Sequence, residues 1–233
     1  MMLISYITLF GLIALISILV KSVKSGEVVI DNIILQKLTR INVLLKMTPA
    51  GLATIFAYLW ITDNPFYQFG LAGALLFCFF GDFGIDKHFL LGFGLFLVAQ
   101  LMFTVTFLVE TFTLGTPVYL TVTGVILIAL VLIYMVFYLN YLRSSPSGLG
   151  NYLIPIMLYC IGITLMVVSS IIFWFSLNEV YAGFIVLGAI SFVISDSFLG
   201  IHRFHHEITW REFKVTSTYY LALLLLSLSA IYV

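Results

Sequence analysis

The chain carries very little charge. Only 9% of its 233 residues are Asp, Glu, Lys or Arg, and the ten acidic residues balance the ten basic ones. Soluble domains carry about 25% charged residues, so this composition excludes an ordinary soluble domain. The sequence also has no basic patch of the kind that binds nucleic acid, and we expect no nucleic-acid partner. It has neither a glycine-rich phosphate loop nor a serine nucleophile elbow.

Cysteine is equally scarce. The two cysteines, Cys78 and Cys160, each lie within an apolar run. A disulfide framework or a cysteine-rich zinc site requires more cysteines in a more polar setting, so we predict neither. The cysteines therefore give no information about the redox compartment.

Apolar residues, in contrast, make up 63% of the chain. They fall into eight runs, most of them near the roughly 20 residues that cross a bilayer. The sequence predicts an all-α, polytopic membrane helix bundle of about eight transmembrane helices, with residues 1–233 forming a single integral membrane domain. The first run has no basic region before it and no small-residue cleavage site before Lys21, which favours a retained helix over a signal peptide. The runs are 2–20, 43–62, 66–85, 88–109, 116–139, 152–174, 180–201 and 216–233.

The basic residues predict the topology. The only charged residues in the connections after the second, fourth and sixth runs are the acidic residues Asp63, Glu110 and Glu179. By the positive-inside rule, both termini face away from the cytoplasm, and we expect a multi-pass protein of the cell (cytoplasmic) membrane. Nine of the ten basic residues lie in the connections after odd-numbered runs: Lys21, Lys24, Lys37, Arg40, Lys87, Arg143, Arg203, Arg211 and Lys214.

Two aspartates lie inside apolar runs, Asp82 in GALLFCFFGD and Asp196 in GAISFVISDS. A carboxylate at membrane depth is costly and is by default a functional-site candidate. In the predicted topology both aspartates lie near the cytoplasmic ends of their helices, and Lys46 opens the second helix at the same level. The three charges predict one site. The alternative is that Lys46 extends to the interface and each aspartate only caps a neighbouring helix.

The segment 188–204, GAISFVISDSFLGIHRF, is the most specific pattern in the chain, and LLFCFFGD and LLKMTP precede it. Together they resemble the YhhN family, whose animal members are the lysoplasmalogenases. In that family a lysine opens the second helix, a Gly-Asp closes the third, and a Ser-Asp-Ser followed by Leu and Arg-Phe closes the seventh. The matching residues here are Lys46, Gly81, Asp82, Ser195, Asp196, Ser197, Leu199, Arg203 and Phe204, with similar patterns at Pro155, Tyr159, Met166, Tyr219 and Tyr220.

The chain departs from this family at four positions. Gln100 stands where members often have a histidine, Phe103 where they have a tyrosine, Met47 where they have a proline, and Leu223 where they have a glutamine. Gln100 can donate and accept hydrogen bonds, but it cannot carry a proton at neutral pH. Because Asp82, Asp196 and Lys46 are retained, we expect the chain to share the chemistry of the family.

The resemblance implies hydrolysis of the vinyl-ether bond of a lysoplasmalogen, without a metal or other cofactor. Such a bond opens when its outer alkene carbon is protonated, and water then captures the oxocarbenium ion. Two neighbouring carboxyls in a low-dielectric setting can divide the work of acid and anion between them. Because Ser195 and Ser197 flank Asp196 as possible hydrogen-bond donors, we predict that Asp196 is the anion and Asp82 the acid.

The resemblance also implies a lysophospholipid as substrate, held among the membrane lipids. Lys46 and Arg203 are suited to its phosphate, as a compact charge and a two-pronged donor respectively. Arg203 is also a residue that the topology alone explains. The aliphatic chain is expected in an apolar cleft between helices. Ser195, Ser197, Gln100 and Tyr159 complete the predicted substrate-binding residues.

The sequence leaves three other functions open. His202, His205 and His206 lie near His88 and Glu207, and could join the aspartates as metal ligands. Their spacing matches no established ligand motif, which favours a solvated cluster. A small-solute or ion transporter also uses intramembrane carboxylates, but usually near the midplane, whereas these lie towards one face. A non-catalytic lipid-binding protein is the third.

Overall fold

The computed structural model of the chain describes residues 2–28, 41–60, 64–115, 118–145, 149–177, 179–231 and 233. Over these residues the chain forms eight long helices and three single 3₁₀ turns, at Gly150–Tyr152, Val180–Ala182 and Ser229–Ile231. The loop positions Lys37, Arg40 and Asp63, on which part of the predicted topology depends, lie outside the described residues. The helices are α1 Met2–Lys24, α2 Asn42–Leu59, α3 Pro65–Lys87, α4 Phe89–Thr113, α5 Val118–Arg143, α6 Leu153–Leu177, α7 Gly183–Phe204 and α8 Arg211–Leu228.

All eight helices are long and apolar enough to cross a membrane. The predicted number and order of helices are therefore confirmed. The surface of the bundle agrees with this, because large apolar side chains such as Ile4, Ile154 and Phe137 are about 70% exposed. A continuous apolar exterior of this kind marks contact with lipid or with another protein. The chain has the architecture of a multi-pass membrane protein.

The eighth helix differs most from its predicted bounds, since it begins at Arg211, five residues before the apolar run. Its first turn is polar, and a segment distant in sequence stabilises it. The Glu27 carboxylate accepts the backbone N–H groups of Glu212 at 2.7 Å and of Phe213 at 3.4 Å. These are N–H groups that a helix start leaves without an intrahelical partner. Lys21 adds an ion pair to Glu212 at 2.9 Å.

Helices α3 and α4 pack closely against each other, and glycine makes this possible. A Cβ atom added at Gly92 would lie 2.3 Å from the backbone nitrogen of Ile85, and one at Gly70 would lie 2.2 Å from Oγ1 of Thr106. Small residues at such contacts allow two backbones to pack directly. The pair holds Asp82 on α3 and Gln100 on α4 inside the bundle, where both are buried.

Helix α5 lies at the periphery. Only 11% of its most apolar stretch is buried, against 33–61% in the other seven spans. It packs mainly on α6, through a small apolar cluster that joins Leu139 and Leu142 of α5 to Ile156, Cys160 and Phe204. Helix α5 therefore covers the outer side of α6 and α7 without being enclosed by other helices.

Candidate functional site

A cavity of about 340 Å³ opens at the end of the bundle where α3 and α7 finish and α2 and α8 begin. Asp82 and Asp196 both line it, and so does Lys46. We call it the polar cavity. The structure thus brings together the three intramembrane charges, although α2, α3 and α7 supply them from distant parts of the sequence. Ser195 and Arg203 line the same cavity.

Asp82 is buried, and only 2% of it is exposed. The Tyr219 hydroxyl donates to its Oδ2 at 2.9 Å. Lys46 Nζ lies 4.0 Å from its Oδ1 and donates to its backbone carbonyl at 3.1 Å. Lys46 is itself only 7% exposed, so it does not extend to the interface. The carboxyl of Asp82 therefore lies beside a buried cation, which offsets the cost of a charge at this depth.

Asp196 has different surroundings. Its Oδ2 accepts hydrogen bonds from the Tyr159 hydroxyl at 2.6 Å and from the Gln100 amide at 3.4 Å. The Tyr159 ring is held in turn by stacking on Phe93, with the centroids 3.9 Å apart. Both donors are neutral, and both bind Oδ2. Among the described residues, none donates to Oδ1 and no cation pairs with this carboxyl. The two aspartates share a cavity but not an electrostatic environment.

The predicted hydrogen bonds from Ser195 and Ser197 to Asp196 are wrong. Ser195 donates to the carbonyl of Val215 on α8 at 2.9 Å, and Ser197 donates to the carbonyl of Val193 at 2.7 Å. Neighbours in a helix point in directions about 100° apart, and a helical serine readily bonds a carbonyl of the preceding turn. Tertiary neighbours on α4 and α6 take the place that sequence neighbours were expected to fill.

The mouth of the polar cavity is rich in charge. Arg203 is exposed there, with its guanidinium carbon 5.2 Å from the centre of the Phe89 ring. Lys21 and Arg211 also line the cavity, and both form ion pairs with Glu212. The sequence did not reveal Lys21 and Glu212 as cavity residues, because polar residues at helix ends look like ordinary interfacial residues.

A second cavity, of about 70 Å³, lies between α5 and the pair α6–α7. We call it the apolar cleft, because mostly apolar side chains line it, among them Met135, Ile163 and Val193. Asp196 lines both the polar cavity and the apolar cleft. Its carboxyl therefore lies at the boundary between a charged region and an apolar one. A molecule with one polar and one aliphatic end would place the polar end in the first region and the aliphatic end in the second.

His202 has different partners from the neighbouring pair His205 and His206. His202 lines the polar cavity, and its Nδ1 accepts the backbone N–H of Ile208 at 3.2 Å. His205 stacks on Tyr141 at 4.1 Å, and its Nδ1 lies 2.9 Å from that of His206. In the described ranges, no group of three or more His, Cys, Asp or Glu side chains is placed to hold a metal ion. The metal hypothesis thus lacks a ligand set among the described residues.

The arrangement is suited to acid–base chemistry on an amphipathic molecule. One carboxyl faces a cation and the other faces neutral donors, and such unequal pairs divide the roles of acid and base. The polar cavity falls in the size range of about 300–1,000 Å³ that is usual for small-molecule sites. It is therefore large enough for a small molecule beside both aspartates.

Comparison with known proteins gives a match to one family. No curated protein and no solved structure matches the chain significantly. The model of the YhhN family matches residues 41–230, which cover most of the chain from α2 to the turn after α8. The chain therefore belongs to the YhhN family.

Proposed function

We propose that this protein is a membrane-embedded hydrolase that cleaves the vinyl-ether bond of a lysoplasmalogen or a related ether lysophospholipid. The products are a fatty aldehyde and the glycerophospho-head group. The observation that carries the proposal is the pair of carboxyls, Asp82 and Asp196, which line one cavity in unlike surroundings. Membership of the YhhN family supports it.

We assign the anionic role to Asp82 and the acid role to Asp196, the reverse of the assignment made from the flanking serines. Asp82 has Lys46 as a neighbouring cation, with 4.0 Å between Nζ and Oδ1. Asp196 has only neutral donors, and both bind Oδ2. Its Oδ1 remains available to carry a proton towards a substrate. Its position at the edge of the apolar cleft also brings it close to the place where an alkenyl chain would begin.

The reaction then proceeds in balanced steps. Asp196 gives its proton to the outer alkene carbon, and the positive charge develops on the carbon attached to oxygen. Asp82 takes a proton from water as the water oxygen bonds to that carbon, which gives a hemiacetal. Asp82 next returns its proton to the ether oxygen while Asp196 removes the hemiacetal hydroxyl proton. The carbon–oxygen bond breaks, the aldehyde and the alcohol leave, and both carboxyls regain their starting states.

Arg203 is the cation that we assign to the phosphate of the head group, because it is exposed at the mouth of the polar cavity. A guanidinium can bind phosphate through two parallel hydrogen bonds. Lys46 is better placed as the counter-ion of Asp82 than as a phosphate ligand, since it is buried against that residue. In the predicted topology this mouth faces the cytoplasm, where the interface would hold the head group.

The test is aldehyde release from a lysoplasmalogen by purified protein in detergent. Asp82→Asn and Asp196→Asn are compared with wild type, each with and without a chelator. Glu179→Gln serves as the matched control, because Glu179 is an exposed carboxylate outside both cavities. Loss of one member of an acid–base pair lowers the rate by about 10²–10⁴-fold, so each Asp→Asn variant should nearly abolish release.

Three results would contradict parts of this proposal. Folded wild type that releases no aldehyde would remove the hydrolase function and leave lipid binding or transport to be assayed. Release that stops with the chelator would show that a metal takes part. Unchanged release by either Asp→Asn variant would remove that aspartate from the mechanism.

A further inference from the structure

The apolar cleft and the helix that covers it carry an inference about how a lipid reaches Asp196. The cleft is bounded by α5 on one side and by α6, α7 and the start of α4 on the other. Helix α5 is the least buried of the eight spans. The neutral partner of Asp196, Tyr159, also lines the cleft. The part of the site that faces lipid is therefore the part that holds Asp196.

We propose that the apolar cleft is the binding subsite for the aliphatic chain of an ether lysophospholipid, and that the chain enters it sideways from the bilayer as α5 moves away from α7. This inference rests on the proposed function in its choice of lipid. It adds the place of the chain, the route of entry and the residues that control both.

The first support is continuity. Asp196, Leu199 and Phe89 line both the apolar cleft and the polar cavity. A lysophospholipid whose head group lies in the polar cavity would therefore pass Asp196 with its first chain atoms and continue into the cleft. The ether bond, which joins head group to chain, would then lie at the carboxyl. No other described residue with an ionisable carboxyl lines both spaces.

The second support is the size of the cleft. Its 70 Å³ is about half of the roughly 150 Å³ of an engineered protein cavity that holds one benzene molecule. A long chain cannot be enclosed in that volume while α5 stays in place. Either surface of the cleft would have to move, and α5 loses the least packing when it moves, because only 11% of its most apolar stretch is buried.

The third support is the attachment of α5 to α7 beside Asp196. The hydroxyl of Tyr134 lies 3.1 Å from Ser197 Oγ, and that of Tyr138 donates to the Ser197 carbonyl at 3.2 Å. Gly200 makes room for Tyr138, since a Cβ atom there would lie 2.2 Å from the tyrosine hydroxyl. The two bonds form a latch on the residue next to Asp196. Breaking the two hydrogen bonds of the latch would free α5 from α7 and, at the same time, expose the carboxyl of Asp196.

The test uses an uncleavable probe, so that binding is measured without turnover. The probe is an alkyl-ether lysophospholipid with a saturated chain and a photoreactive diazirine on that chain. Purified protein in lipid nanodiscs is irradiated with it, and labelled peptides are identified by mass spectrometry. We expect label on Met135, Cys160 and Val193, which line the cleft. A diacyl lipid with the same diazirine gives the background at lipid-facing positions such as Leu12 and Leu15, each 60% exposed.

Two pairs of variants test the cleft from opposite sides. Cys160→Phe fills it from α6, and Ile161→Phe places the same ring on the neighbouring residue, which is 42% exposed. Met135→Trp fills it from α5, and Phe137→Trp is the control on the 71% exposed face of that helix. The filling variants should weaken probe binding about tenfold, equivalent to about 1.4 kcal/mol, and the controls should leave it unchanged. If Cys160→Phe fails to fold, the comparison of Met135→Trp with Phe137→Trp still shows whether filling the cleft weakens probe binding.

Loosening the latch gives the opposite expectation. Tyr138→Phe should label the cleft faster than wild type, because one of the two bonds between α5 and Ser197 is gone. The subsite is refuted if the probe labels the cleft no more than the diacyl lipid does, or if the filling variants bind as wild type. Cleft labelling without any aldehyde release from the vinyl-ether lipid would overturn the hydrolase proposal alone. Aldehyde release with labelling elsewhere would overturn the subsite alone.

Discussion

Lys46→Met is the substitution that tests the site most directly. Lys46 Nζ lies 4.0 Å from Oδ1 of Asp82, and both residues are buried. At an effective dielectric constant of about 20, two unit charges about 4 Å apart attract by about 4 kcal/mol. Breaking a buried pair by removing one partner costs roughly 3–5 kcal/mol, since the other charge is left uncompensated. We therefore expect Lys46→Met to lower the free energy of unfolding by roughly 3–5 kcal/mol.

The same change should reduce catalysis, because Asp82 is assigned the anionic role and Lys46 stabilises that charge. We expect kcat per folded molecule to fall about 100-fold or more, the usual size of a general acid–base contribution. The assays are SDS-induced unfolding and aldehyde release. Lys24→Met is the control, because Lys24 is exposed and outside the polar cavity, and it should change stability by no more than about 0.5 kcal/mol.

A double-mutant cycle separates the ion pair from its surroundings. Lys46→Met combined with Asp82→Asn removes both charges, and the Asn oxygen can still accept from Tyr219. The double variant should recover about 1–3 kcal/mol relative to the sum of the single changes, and it should remain inactive. Additive losses of stability would show that the pair has no coupling. A stable and fully active Lys46→Met variant would refute the assignment of Asp82 as the anion.

Further variants test the packing, the acid and the start of α8. Gly92→Ala should destabilise the α3–α4 contact by several kcal/mol, whereas Gly94→Ala, with no atom within 4 Å of the added Cβ, should be neutral or stabilising by up to about 1 kcal/mol in thermal unfolding. Tyr159→Phe, which removes a donor to Asp196, should lower kcat about tenfold or more, change the pH–rate profile and leave the fold intact. Glu27→Ala should cost about 0.5–2 kcal/mol of stability, because it removes the cap of α8, and the specific activity of the folded protein should not change.

The sequence predicted the helices well because a bilayer imposes a simple requirement. Apolar runs near 20 residues leave few alternatives, and all eight predicted spans are helices in the structure. The exception is the start of α8. Its polar first turn has no apolar signal, and Glu27, 185 residues earlier in the chain, caps it. The start therefore depends on a tertiary contact that periodicity does not report.

The candidate site was predictable as a set of charges but not as a set of contacts. Asp82 and Asp196 stand out in any apolar run, and the parallel course of their helices is enough to bring them to one level. Their partners were not predictable in the same way. Sequence proximity suggested Ser197 for Asp196, whereas Tyr159 supplies the 2.6 Å bond from another helix. Which face of α6 meets α7 is decided by packing across the bundle.

Gln100 shows how this half of the site is built. Its Nε2 donates to Asp196, and its buried Oε1 accepts no hydrogen bond from the described residues. An amide cannot carry a proton at neutral pH, in contrast to an imidazole at such a position. The orientation keeps a neutral donor on the carboxyl. On the other side of the cavity, Lys46 places a cation beside Asp82. The two carboxyls therefore have unlike surroundings, and the acid and base roles that we propose for them depend on that inequality.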